Sequence, residues 1–259
     1  MDSHFDKYRQ ELDKENLTTF EDLENLIRPL IRTATEIEVS KPSKPKANTQ
    51  LLSHFGGQPY FEEGEEWPKT KKGKNLNFIF QIYNNGGINL PGNLKLVQFF
   101  YDWDEFPWET ENDGWLVKTY TTLNTSQIIE HAQPAELETT KFCEVNFKSV
   151  QSLPDWEGIG TYSKNASNLS CVLDEDEPWG NYQKAVEKLI GEQEYRSQLG
   201  GYPMWVQGED TPVKEGVPMK LLFQIDSEDN AGIMWGDVGL IYVFYNEASN
   251  LVEFTLQCH

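Results

Sequence analysis

The chain is poor in the residues that build metal, redox and phosphate chemistry. Only four histidines and three cysteines occur in 259 residues. His4, His54, His131 and His259 have no metal-ligand spacing, and Cys143, Cys171 and Cys258 form no CxxC pair. An odd set of isolated cysteines excludes a disulfide framework and fits free thiols in a reducing cytoplasm. Basic residues are also scarce, with 22 lysines and arginines against 42 aspartates and glutamates and a formal net charge of −20. Such a surface repels nucleic acid and anionic membranes, so neither is expected as a partner. No apolar run approaches membrane-spanning length. The stretch Met1–Asp6 has neither the basic nor the apolar region of a secretory leader, which again points to the cytoplasm. There is no G-x-S-x-G, no P-loop and no dinucleotide fingerprint, and Gly158-Ile159-Gly160 is too short to count as one. No cofactor is expected, and no catalytic residue is assigned.

Aromatic residues, by contrast, are abundant: 8 Trp, 11 Tyr and 14 Phe. That content argues for a folded chain, and its length suffices for a core without covalent staples. Phe5, Tyr8 and Leu12 follow helical spacing. Asn16 or Thr18/Thr19 is placed to cap a second helix carrying Leu23, Leu26, Ile27, Leu30 and Ile31, with a break expected at Pro29. Ile37 and Val39 open a strand, and Lys41–Lys46 reads as a Pro-rich connector. From about residue 51 the pattern turns to strands. Leu76, Phe78, Phe80 and Ile82 alternate with their neighbours, and 94–101, 115–122 and 142–150 read as further strands. Residues 178–196 read as a helix with Tyr182, Ala185, Val186, Leu189 and Ile190 on one face.

A repeat runs through this pattern. Gly56-Gly57-Gln58-Pro59 lies 144 residues before Gly200-Gly201-Tyr202-Pro203, and six of the thirteen positions from 56 to 68 are identical in the second copy. Ordinary residue usage would give about one. Leu76, Phe78, Phe80 and Ile82 then match Met219, Leu221, Phe223 and Ile225, and 96–101 matches 240–245. The expected fold is therefore α+β: an internally duplicated, antiparallel β-rich core with N-terminal helices and a helix before the second repeat. The expected organisation is a helical segment and linker over 1–50 and a duplicated domain over 51–259, with repeats at about 51–150 and 195–259.

The Gly-Gly-x-Pro turns, the shared Phe-Gln-Ile strands and the segment Gln224–Asp237 together resemble the YwqG-like family of uncharacterised bacterial proteins, over about residues 50–259. The resemblance implies a duplicated α+β fold and a cytoplasmic bacterial protein. It implies no activity and supplies no site residues.

Four features remain as site candidates. Asp226, Glu228, Asn230 and Asp237 stand at positions 1, 3, 5 and 12 of a calcium-loop spacing, but Ala231 occupies the position that wants glycine, and Asp237 replaces the bidentate glutamate. The same loop offers Asp226 and Asp237 as a carboxylate pair, with Trp235 as a platform for a sugar ring. Gln81 and Gln224 sit mid-strand in apolar runs, either lining a ligand pocket or serving as structural amides for a nearby turn. Trp103 and Trp108, in the acidic loop 102–109, suit a contact surface. The leading expectation is a non-enzymatic binding or interaction protein for a basic or mixed-charge partner. A hydrolase acting on a glycan or small polar substrate between the repeats, and a divalent-cation binder, are the alternatives.

Overall fold

The computed structural model describes residues 4–45, 48–88 and 90–259. Met1–Ser3 and Lys46, the last residue of the expected connector, lie outside them. The chain forms two compact units, one from 1–34, 149–195 and 201–210, the other from 35–148, 196–200 and 211–259.

In chain order the elements are α1 (His4–Lys14), α2 (Phe20–Ile27), β1 (Arg32–Val39), β2 (His54–Phe55), β3 (Asn77–Tyr83), β4 (Leu96–Tyr101), β5 (Trp115–Tyr120), β6 (Cys143–Ser152), α3 (Ile159–Tyr162), α4 (Lys164–Leu173), α5 (Pro178–Ile190), β7 (Gln198–Gly200), β8 (Val213–Lys214), β9 (Val217–Pro218), β10 (Lys220–Asp226), β11 (Leu240–Asn246) and β12 (Leu251–Gln257).

The helical unit follows its capping chemistry. Thr19 caps α2 in a reciprocal box, its hydroxyl accepting from the Asp22 amide while the Asp22 carboxylate accepts from the Thr19 amide. After α2 a single 3-10 turn, Arg28–Leu30, carries Pro29, because the ring removes a donor and clashes with the preceding turn. Ser163 caps α4, whose amphipathic pattern is diluted by Lys, Asn and Ser and was not anticipated. Helix α5 ends at Ile190, short of the expected Arg196, because Gly191 takes a φ of +84°. Leu12, Leu23, Ile27, Leu169, Tyr182 and Ala185 form this unit's core.

The second unit is built on a ten-stranded sheet in the order β12-β11-β10-β7-β1-β6-β2-β3-β4-β5. The resolved ladders of β10 with β7 and β11, β11 with β12, and β2–β5 are antiparallel. The sheet curls until its two edges meet. Trp115 of β5 stacks on Phe254 of β12 at 5.1 Å, Glu109 bridges to Thr255, and the Leu256 amide donates to the Trp108 carbonyl at 2.9 Å. The result is a nearly closed barrel. Phe80, Phe99, Phe223 and Phe254 pack inside it, with Phe80 edge-on to Phe223 at 5.1 Å.

Reading outward from the β1-β6 centre, the two flanks run in mirrored order. Ladder β3-β4 is bulged between Phe78 and Phe80, and ladder β10-β11 between Leu221 and Phe223. Gly56 and Gly57 have φ of +56° and +71°, and Gly200 and Gly201 have +63° and +74°. The left-handed conformation explains why both turns carry paired glycines.

Candidate ligand cavity

The residues singled out in the sequence are distributed through the barrel. Gln81 is fully buried, and its carboxamide is held by the backbone beside the first Gly-Gly-x-Pro turn. Its Oε1 accepts from the Tyr60 amide at 2.8 Å, and its Nε2 donates to the carbonyls of Gln50 at 2.9 Å and Leu52 at 2.7 Å. Gln98 donates to the same Oε1 at 3.2 Å. Gln224 is equally buried and donates to the Arg196 carbonyl at 2.8 Å. Trp235 lies inside the barrel, stacked on Trp103 at 5.0 Å, and its Nε1 donates to the Asp226 carbonyl. Its ring is therefore no open platform. Trp103 is half-buried by that stack, whereas Trp108 is 41% exposed, as are Met234 and Val238 at 47% and 53%.

The acidic loop joins β10 to β11, and its side chains take separate partners. Glu228 accepts from the Ser197 hydroxyl, Asn230 donates to the Val39 carbonyl at 2.9 Å, and Asp226 accepts from the Ser227 amide. Asp237 accepts from the His259 amide through its own carbonyl. Among the described residues no group of three or more His, Cys, Asp or Glu is placed to hold a metal ion. All three cysteines are free thiols. No helix among the described residues is long and apolar enough to cross a membrane.

A concave site forms elsewhere, within the helical unit. The chain leaves β6 through Leu153-Pro154-Asp155-Trp156, enters α3 at Gly158, and later passes along α5 and the segment 193–204. Residues of these segments line a half-open cavity of about 590 Å³. Trp156, Trp179, Tyr182 and Tyr195 supply aromatic walls, Met204 adds a thioether, and Asp155, Glu187 and Glu194 supply carboxyls, with no lysine or arginine in the lining. The walls are tied down by backbone hydrogen bonds. Tyr182 Oη donates to the Pro154 carbonyl at 2.7 Å, and Tyr195 Oη to the Trp205 carbonyl at 3.1 Å. Gln193 satisfies both the amide and the carbonyl of Leu153, at 3.0 and 3.2 Å.

Asp155 is the chemically distinctive group. Its Oδ1 accepts from the Gly158 amide at 2.8 Å and its Oδ2 from the Trp205 amide. Glu209 accepts from Trp205 Nε1 at 3.2 Å and approaches the same point. A Cβ at Gly158 would lie 2.8 Å from Glu209 Oε2 and 3.2 Å from Asp155 Oδ1, so the two acids stand no more than about 6 Å apart. Burial pushes the Asp155 carboxyl up to about 7, with Glu209 and Glu157 adding to the rise against the two amide donors. Burial likewise raises Glu228 to about 7, opposed by the Ser197 hydroxyl and reinforced by Asp226 and Asp229. Trp156 and Trp179 stand beside acids in the sequence, next to Asp155 and Glu157 and after Glu177, but so does Trp103, and nothing local singles them out. Asp155 carried no local signal.

These two acids set the direction of the stability–pH curve. Both fold with pKa values above their ordinary 3.8 and 4.5. Between about pH 4 and 7 the folded state keeps protons that the unfolded state has released, so stability is full at the acidic end and falls as pH rises through about 7. Each group contributes on the order of 3–4 kcal/mol at most. Thermal melts at pH 5, 6, 7 and 8 are expected to show a falling Tm, with the slope reduced in Glu228→Gln. A Tm that climbs across this range would contradict the assignment.

Fold and site together define an α+β protein in which a curled antiparallel sheet is joined to a helical unit bearing an aromatic, acidic cavity. A family model described as Domain of unknown function (DUF1963) matches residues 53–252, and the chain belongs to that family. No curated protein matches it.

Proposed function

We propose that this chain is a non-enzymatic binding protein whose ligand occupies the cavity beside Asp155. The observation that carries this reading is the cavity itself: about 590 Å³ lined by ring faces and carboxyls, of which Tyr182, Tyr195 and Asp155 are held by hydrogen bonds to the backbone before any ligand arrives. The test is a small-molecule screen by thermal shift on the full chain and on Trp179→Ala. Trp179 is 50% exposed, so its removal should leave the fold intact. Hits that raise Tm and lose at least tenfold in affinity in the variant support the reading. A screen without hits, or hits indifferent to Trp179, defeats it.

A second reading, hydrolysis of a glycan or small polar substrate, is favoured by one observation. Asp155 and Glu209 approach within about 6 Å, and burial holds the first protonated near neutrality. Retaining glycosidases use such a pair. Product release from a bound glycan, abolished in Glu209→Gln, would favour it over simple binding.

The mirrored strand order, the paired glycine turns and the matched bulges support an internal duplication. Free thiols and the acidic composition support a cytoplasmic setting, and the Gly-Gly-x-Pro turns, the Phe-Gln-Ile strands and the segment Gln224–Asp237 support the YwqG-like resemblance. The exposed Trp108, Met234 and Val238 on a chain of net charge −20 give a basic or mixed-charge protein partner a surface to meet.

A further inference from the structure

Every charged side chain that lines the cavity is acidic. Asp155, Glu187 and Glu194 line it. Glu157 and Glu209 stand close enough to Asp155 to raise its carboxyl further, and the other titratable groups facing it are the phenols of Tyr182 and Tyr195. The aromatic rings add their negative faces. An anionic ligand would be repelled by every charged group in the lining. A neutral ligand would leave the Asp155 carboxyl poorly solvated at any pH where it ionises. A bare metal ion asks for several oxygens at close range, and no such group exists among the described residues.

On the reading of this cavity as a binding site, we propose that its ligand is a small organic cation, an alkylated ammonium whose charge sits beside Asp155 and whose alkyl groups lie against the rings of Trp156, Trp179 and Tyr195. Ammonium is preferred to guanidinium on geometric grounds. Each Asp155 oxygen already accepts a backbone amide, from Gly158 and from Trp205. A planar fork needs both oxygens free along parallel directions, whereas a point charge needs only proximity. Quaternary and alkylated ammonium groups are also the cations best held by aromatic faces.

The proposal is tested by calorimetry on the full chain with choline and with 3,3-dimethylbutan-1-ol, which has the same shape without the charge. Choline is expected to bind about tenfold or more tighter than the alcohol at pH 8. Because the cation favours ionised Asp155, choline affinity should fall about tenfold per pH unit below about 7, with no such change for the alcohol. Asp155→Asn should bring choline down to the level of the alcohol. If that variant does not fold, Trp179→Ala is the substitute and should weaken choline about tenfold. Equal binding of alcohol and choline would overturn the cationic ligand while leaving the binding reading in place. Equal competition by calcium chloride would overturn it too, since charge alone would then suffice. Binding of neither probe, in a protein whose thermal-shift hits still depend on Trp179, sinks only the cation. With no Trp179-dependent hits, both readings fall.

Discussion

Gly56→Ala is expected to lower stability by at least about 4 kcal/mol and Tm by about 10 °C or more. Two costs add. The residue has a φ of +56°, a conformation that charges an alanine roughly 1–2 kcal/mol. The new Cβ would also lie 2.1 Å from the Thr140 carbonyl oxygen and 2.8 Å from that of Lys141. Both are backbone atoms near the start of β6, so relief requires moving a strand and not a side chain. Gly56 also donates its amide to the Ile79 carbonyl at 2.9 Å, tying the turn to β3. Gly64→Ala is the control: its φ is +88° but nothing lies within 4 Å of an added Cβ. Urea unfolding of the two variants separates contact from strain. Similar losses in both would show that the Thr140 contact relaxes freely.

Gln81→Leu is expected to cost on the order of 2–6 kcal/mol without creating a cavity. Leucine matches the buried apolar surroundings but strands the buried Tyr60 amide and Gln50 carbonyl, and it withdraws the donor from the carbonyl of Leu52, a residue that is 42% exposed. Each stranded group costs roughly 1–3 kcal/mol. Gln81→Met keeps the length of the side chain and should lose nearly as much, which identifies the cause as polar and not steric. If Gln81→Met is within 1 kcal/mol of the parent in urea unfolding, roughly the value of one hydrogen bond, the amide network is not what holds the 49–60 segment to β3.

The contrast between these residues and Asp155 explains what was legible in the sequence. Alternation over Leu76–Ile82 reports burial directly, since side chains two apart share a face. Thr19 and Pro29 act on their own neighbours, so the cap and the break could be read locally. Gln81 was conspicuous because a polar residue interrupts an apolar run, yet its partners sit about thirty positions upstream and could not be named. Helix α4 was missed because Lys164, Asn165, Asn168 and Ser170 dilute its stripe. Trp103 and Trp108 looked alike in one loop, and only packing against Trp235 divides them. The Asp155 cavity draws on three separated segments, and desolvation, the effect that gives Asp155 its character, is a property of the assembled surroundings.

The position of β1 within the sheet carries a consequence for how the protein is made. This strand belongs between β7 and β6, and the Ile37 amide donates to the carbonyl of Ser197, made 160 residues later, at 2.8 Å. At roughly 5–20 residues per second, it waits on the order of 10–30 s for Ser197 to be synthesised. Until β6 (Cys143–Ser152) emerges, for roughly 5–20 s of that interval, Arg32–Val39 has neither neighbour and is an unpaired nascent strand open to other chains, and one of its edges stays open until β7 follows. Its alternating charges at Arg32, Glu36 and Glu38 are placed to discourage such pairing, and replacing them with apolar residues should reduce soluble yield before it changes the stability of the finished protein.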